Sequence, residues 1–375
     1  MLRSLLVIFL AFYHFSSLAL DFGRTNVAYL YSPVSPVQIG FELVPAGPGR
    51  VTCYLNVKER VRAQYQMSFF TQASYDADDE TYFVPDLVDT LTAGESTTVI
   101  RCDLSTDSLD AVLVVELIRG SDRYYFPFTA DVQRLPSFYP WDDGPVTDYY
   151  VKRPPDLRGS DSLFAYAYSM DFGLADPPFG VMKALSPEIE IDSVFRYDKD
   201  AAFEDWVFYF IQEDTSSSIG RGFLKSPSYY PRYRAMEELV GPLQYICSSK
   251  EFEEILTASS LRQGFQDFWL TTVGNEQQAK IAIRRYYRGV TGANRYFTNY
   301  KPGWKTDQGM IYLIFGPPQE VYRTQRKELW KYGGGLQFEF IKISTLFAPS
   351  LYTLLRDPDY RDKWAQKIAS IRQGS

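Results

Sequence analysis

Histidine is almost missing from this chain of 375 residues: the only one is His14. Beyond that position the absence excludes Ser-His-Asp and Cys-His catalysis and every histidine-ligated metal site. Cysteine is scarce too. Cys53, Cys102 and Cys247 are an odd number, which leaves at least one thiol over. Positive charge is in deficit, with 39 Lys and Arg against 46 Asp and Glu and a net charge of −7. No nucleic-acid partner is therefore expected, because no general basic field would hold one. The chain also has no Gly-rich phosphate loop, no CxxC pair, no EF-hand pattern and no clear internal repeat. No metal and no cofactor are expected, and no catalytic residues are assigned.

What is abundant is aromatic: 29 Tyr, 27 Phe and 6 Trp, or 17% of the chain. This composition favours β-sandwich domains over helical bundles. Hydrophobic residues at 45% and charged residues at 23% fit a folded protein of two to four domains, at about 100–150 residues each. The amino terminus reads as a signal peptide. Met1-Leu2-Arg3 brings one positive charge, Leu5-Leu6-Val7-Ile8-Phe9-Leu10-Ala11-Phe12 the apolar stretch, and Ser17-Leu18-Ala19 small residues for cleavage after Ala19. The apolar stretch is shorter than the ~20 residues that span a bilayer, and no later segment approaches that length. The expectation is an exported chain, periplasmic or outer-membrane-associated, with no transmembrane span once mature. Export permits disulfides. Cys53 shares a strand face with Val51, Leu55 and Val57, and Cys102 shares one with Ile100 and Leu104. A Cys53–Cys102 bridge across two sheets and a pair of buried free thiols both fit this pattern.

The expected fold is multidomain, a β-rich N-terminal half followed by a helical plus small α/β module. Residues 1–19 are the signal peptide, 20–136 a β-sandwich domain, 137–235 a second β-rich domain and 236–375 the helical and α/β unit. Short strands recur through the first region, from Asn26–Tyr31 to Arg123–Phe128. A Pro- and aromatic-rich joint at 135–145 precedes the second, whose strands include Leu163–Tyr168, Ile189–Val194 and Asp205–Ile211. Helical periodicity begins near Arg234. Ser248 to Glu251 forms a capping-box pattern, and Ser260 and Asn275 open two further helices. Gly309 to Phe315 reads as a strand ended by Gly316-Pro317-Pro318. Glu328–Tyr332 and Gln337–Ile341 form a hairpin around Gly333-Gly334-Gly335, and a last helix starts near Asp357.

The run Gly303-Trp304-Lys305-Thr306-Asp307 carries a family resemblance. Taken with Gly309 to Pro318, Val321-Tyr322-Arg323, Glu328-x-Trp330-x-Tyr332 and Phe338-x-Phe340, it closely resembles the GWxTD domain, strongly over about residues 236–370. The resemblance implies exported proteins of Bacteroidota-type bacteria and attaches no activity. The layout from Thr306 to Phe340 is also similar to the small α/β lipoprotein subunit of the outer-membrane β-barrel assembly machine. That likeness would imply a scaffold role beside outer-membrane proteins.

Two readings of the motif stand side by side. As architecture, Gly303, Trp304, Thr306, Asp307, Gly309, Gly316, Pro317 and Pro318 set turns, caps and a strand exit. As a site, Trp304, Asp307, Arg323, Glu328, Trp330 and Tyr332 surround a groove for a peptide or glycan. A hydrolase would further require two of Asp307, Glu320 and Glu328 to face each other across a cleft. A basic stripe, Lys280, Arg284 and Arg288 with Arg285 beside it, reads as a solvated face paired with Glu251, Glu253 or Glu254. The functional expectation is a non-enzymatic interaction or scaffold module whose partners are other cell-envelope proteins, those of the outer membrane and secretion machinery among them. A periplasmic glycan- or peptide-binding protein is the alternative.

Overall fold

The computed structural model describes residues 20–374, except 61–62, 78, 94–95, 133–134, 137–138, 142–149, 153–155, 159–161, 170, 182–189, 198–200, 346 and 348–350. The expected signal peptide with His14, part of the Pro-rich joint and the start of the expected strand at Ile189 lie outside the described residues. Eight strands build the first unit: β1 (Val37–Pro45), β2 (Arg50–Glu59), β3 (Gln66–Gln72), β4 (Thr81–Phe83), β5 (Leu87–Ala93), β6 (Thr97–Ser105), β7 (Val112–Arg119) and β8 (Asp122–Thr129). They form two antiparallel sheets, ordered β1-β2-β6-β5 and β4-β3-β7-β8. Alternation works as the sequence suggests, with Val51, Cys53, Leu55 and Val57 turned into the core between the sheets.

Cys53 and Cys102 sit in that core as free thiols. They are direct partners on the adjacent strands β2 and β6 of one sheet, so the proposed bridge across two sheets is not formed. Burial pushes both thiols up, that of Cys102 to about 12, which keeps them protonated.

Strand β7 explains its own unbroken apolar run. Leu113, Val115 and Leu117 point into the sandwich, whereas Val112 and Val114 join the core of the C-terminal unit. A strand buried on both faces has no polar face to alternate with. The sandwich is thus not a detached module.

The segment before it bridges the sandwich and the C-terminal unit. Residues 26–31, expected as a strand, end in a 3-10 turn, Ala28–Tyr31. Phe22, Val27 and Tyr31 are buried in the C-terminal core. The Arg323 N–H donates to the Phe22 carbonyl at 2.8 Å, and the Val27 N–H to the Val321 carbonyl at 2.9 Å.

The middle region holds β9 (Tyr139–Trp141), β10 (Tyr150–Val151), β11 (Asp156–Arg158), β12 (Phe164–Tyr168), β13 (Ser193–Arg196), β14 (Phe208–Gln212) and β15 (Arg221–Lys225). Five of these form a sheet ordered β10-β15-β14-β12-β13, while β9 and β11 pair separately. Helices follow: α1 (Met236–Val240), α2 (Ser249–Thr257), α3 (Leu261–Val273), α4 (Glu276–Phe297) and α5 (Asp307–Phe315). The chain closes with β16 (Glu320–Arg323), β17 (Lys327–Lys331), β18 (Gln337–Ile343), β19 (Leu351–Leu354) and α6 (Tyr360–Arg372). The last sheet is antiparallel in sequence order.

One expected strand is a helix. Gly309 to Phe315 lies inside α5, whose residues from Gln308 to Ile314 are all buried. Because α5 is surrounded on every side, its apolar run carries no 3.6-residue pattern to separate it from a buried strand. The caps at Ser248, Ser260 and Asn275 form as the sequence indicates, each side-chain oxygen accepting from the N–H three residues on.

The capping box of α2 also holds the closing helix. Glu251 accepts from Arg372 at 2.6 Å and from the Ser248 N–H at 2.8 Å. The Arg372 guanidinium, with Ser248 assisting, lowers the Glu251 carboxyl from 4.5 to about 2. The folded carboxyl binds its proton more weakly than the unfolded one, so this stabilisation is fully present above about 4.5 and is lost as pH falls through about 2. Glu251→Gln is expected to lower stability at neutral pH and to flatten the acid decline between these values. Urea unfolding of both proteins at a series of pH values measures it.

Candidate functional site

The GWxTD motif is the turn between α4 and α5, and each of its residues has an identifiable mechanical task. Gly303 lies against the backbone of α4: an added Cβ would stand 2.0 Å from the Ala293 carbonyl oxygen. At Gly309 an added Cβ would stand 1.8 Å from the Gly303 carbonyl oxygen. Both glycines are required by close backbone approach. Between them, Thr306 caps α5. Its hydroxyl accepts from the Gly309 N–H at 3.0 Å and donates to the Gly303 carbonyl at 2.7 Å.

Trp304 is buried, with 3% of its surface exposed. Its backbone N–H donates to Asn294 Oδ1 at 3.2 Å, and its indole N–H to the Tyr233 hydroxyl at 2.7 Å. Asp307, the first residue of α5, clamps the far sheet edge. Its Oδ2 accepts from the Leu354 N–H at 2.8 Å, and its Oδ1 accepts from Arg356 at 2.7 Å.

A loop at 171–180 lies over this end of the motif. Arg356 donates to the Asp176 carbonyl, the Ala175 N–H to the Lys305 carbonyl, and Lys301 to the Gly173 carbonyl. Lys305 pairs with Asp171. Burial lowers the Lys301 ammonium from 10.5 to about 8, against the pull of the Asp307 carboxylate.

The second cluster surrounds Glu328, whose side chain is entirely buried. Its Oε2 accepts from Arg323 Nε at 2.5 Å and from the Tyr31 hydroxyl at 3.1 Å. Its Oε1 accepts from Gln308 at 2.9 Å and from the Trp330 indole N–H at 2.6 Å. Arg323 also donates to the Tyr31 oxygen at 2.6 Å. Trp330 is fully buried, its ring packed against Tyr31, Phe297 and Phe340. Tyr332 is half-buried and donates to the Gly316 carbonyl at 2.9 Å. Gly316 takes the positive φ of 82° that ends α5, just ahead of Pro317 and Pro318.

The six suspected binding residues therefore do not line one groove. Arg323, Glu328 and Trp330 meet in the buried cluster, Trp304 and Asp307 belong to the α4–α5 turn, and the faces of both tryptophans are spent on packing. The three carboxylates that a hydrolase would use are each tied to a cation of their own: Asp307 to Arg356, Glu320 to Lys331 and Glu328 to Arg323. Sequence reasoning missed Tyr31, Gln308, Asn294 and Arg356. Only Gln308 carried a local signal, as the neighbour of Asp307 at a helix start; the others come from segments remote in the chain. The basic stripe divides: Lys280 pairs with Glu276, and Glu251 takes Arg372 rather than a residue of α4.

Among the described residues, exposed apolar side chains recur along one sandwich edge. Tyr82, Val84, Leu87 and Leu91 are 38–50% exposed within ten residues. They lie on and between β4 and β5, the edge strands of the two sheets. Single exposed apolar residues are ordinary, whereas four within ten residues along two edge strands single this edge out.

The packing account of the motif makes a specific expectation. Gly303→Ala and Gly309→Ala should each cost about 3 kcal/mol or more, whereas Gly173→Ala, with open space around it, should stay within about 0.5 kcal/mol. Asp307→Asn should cost about 3 kcal/mol, because it leaves a buried arginine without its counter-charge. Urea midpoints of the four variants and the wild type measure these differences. Residues 207–373 match the family model of the GWxTD domain, so the chain carries that domain from β14 through α6. No curated protein and no solved structure matches the chain.

Proposed function

We propose that this GWxTD-domain protein is an exported, non-enzymatic interaction module of the cell envelope, periplasmic or outer-membrane-associated, that docks another envelope protein on its β-sandwich edge. The observation that carries this reading is the run of exposed apolar side chains Tyr82, Val84, Leu87 and Leu91 along the edge strands β4 and β5 and their connection. The register slips between Thr90 and Thr92, a bulge that interrupts main-chain pairing along β5. Bulged edges resist indiscriminate strand addition, so the contact is made through side chains.

The chemistry of the motif supports a non-catalytic role, since its carboxylates, threonine and tryptophans are engaged in caps, ion pairs and packing. Export rests on the charge, apolar stretch and small-residue order at the amino terminus. A further point favours cleavage after Ala19. The Leu20 nitrogen stands 2.5 Å from Glu80 Oε1, so the ammonium released by cleavage would face a carboxylate. Among the described residues no helix is long and apolar enough to cross a membrane.

Affinity purification of the tagged mature protein from its native envelope in mild detergent tests the reading. Stoichiometric recovery of an envelope protein is expected, and Leu87→Lys with Leu91→Lys should abolish it without lowering the melting temperature. Recovery unchanged by the double substitution, or a partner that is cytoplasmic, would contradict it. Amino-terminal sequencing of the exported protein should return Leu20.

A further inference from the structure

The polar face of α4 carries a feature that neither the motif nor the sandwich edge uses. Gly289 and Gly292 let α5 press directly onto α4: a Cβ at Gly292 would stand 2.6 Å from the Tyr312 ring and one at Gly289 3.2 Å from Leu313. Where the two helices separate, a groove of about 380 Å³ opens, with α6 along its other side. Its floor is apolar, including Leu313, Phe315 and Pro317. Its rim is cationic: Arg232, Arg285, Arg288, Arg295 and Lys367 line it, and no carboxylate does. Among the described residues none of these five forms a salt bridge, whereas Lys280, one turn away on the same helix, does. Five cations converging on one groove, in a chain of net charge −7, are not accounted for by surface solvation alone.

We infer that this groove binds an amphipathic anion, a molecule with an apolar body and a phosphate or carboxylate head. The apolar body lies on Leu313, Phe315 and Pro317, and the head meets Arg285, Arg288 and Arg295. Guanidinium groups suit this task because each offers a planar fork of donors to two oxygens at once. The volume is at the lower end of small-ligand sites, which suits one such molecule rather than a folded partner. This inference does not depend on the apolar sandwich edge, which lies on other elements.

Calorimetric titration of the full mature chain with decyl phosphate below its micelle concentration tests it. Saturable one-to-one binding is expected. It should weaken at least tenfold in Arg285→Glu/Arg288→Glu, weaken with added salt, and largely survive in Arg285→Lys/Arg288→Lys. Inorganic phosphate should bind at least tenfold more weakly than decyl phosphate, and decyltrimethylammonium should not compete. Equal affinity of the wild type and the charge-reversed protein would overturn the proposal, as would equal binding of the cationic amphiphile. Vesicles containing phosphatidylglycerol separate the sources of the head group. Sedimentation with vesicles in addition to decyl phosphate binding assigns a lipid, and decyl phosphate binding without sedimentation assigns a free molecule. Vesicle binding without decyl phosphate binding would overturn the groove as the site. The thermal melts of all variants establish that each is folded.

Discussion

One buried carboxylate ties the C-terminal half to the rest of the molecule. Glu328 has no exposed surface, so the cost of stripping water from its charge must be met by partners inside the protein. It has four donors, two on each oxygen, and they come from three separate parts of the chain. Tyr31 arrives with the segment ahead of the sandwich, Gln308 with α5, and Arg323 and Trp330 with neighbouring strands of the sheet. Satisfying that single group requires the amino-terminal segment, the motif helix and the sheet to be in place together. The joint core containing Phe22, Val112, Val240 and Trp330 is the apolar counterpart of this requirement.

On this view the GWxTD motif is a device for starting α5 at a fixed place and angle. Two glycines permit backbone contact, a threonine caps, an aspartate clamps β19, and a tryptophan locks the turn to Tyr233 and Asn294. Gln308 then reaches Glu328 because α5 begins one residue earlier. The residues that identify the domain are those that a helix buried on all sides needs at its entry.

Much of this was legible in the residues. The helices announced by Ser248, Ser260 and Asn275 are present with the caps described, and the alternating faces of β2 and β6 are turned inward. Such features are local, set by a few neighbouring side chains. The failures have a common cause in long-range burial. The α5 run looked like a strand because its surroundings are apolar all round, and residues 26–31 looked like a strand because their aromatic residues are buried by remote partners, Tyr29 by β8 and Tyr31 by the C-terminal sheet. Trp304, Trp330 and Glu328 looked like a binding surface because the same residue types serve recognition when exposed and specificity when buried. Cys53 and Cys102 do lie side by side, but as neighbours in one sheet with free thiols.

The central claim is that the Glu328 cluster couples the amino-terminal segment to the C-terminal sheet. A double-mutant cycle of Tyr31→Phe and Glu328→Gln, read by urea unfolding, tests it most directly. The account predicts one cooperative transition and a coupling energy above about 1 kcal/mol between residues 31 and 328. Additive effects within about 0.3 kcal/mol, or a Glu328→Gln protein as stable as the wild type, would contradict it.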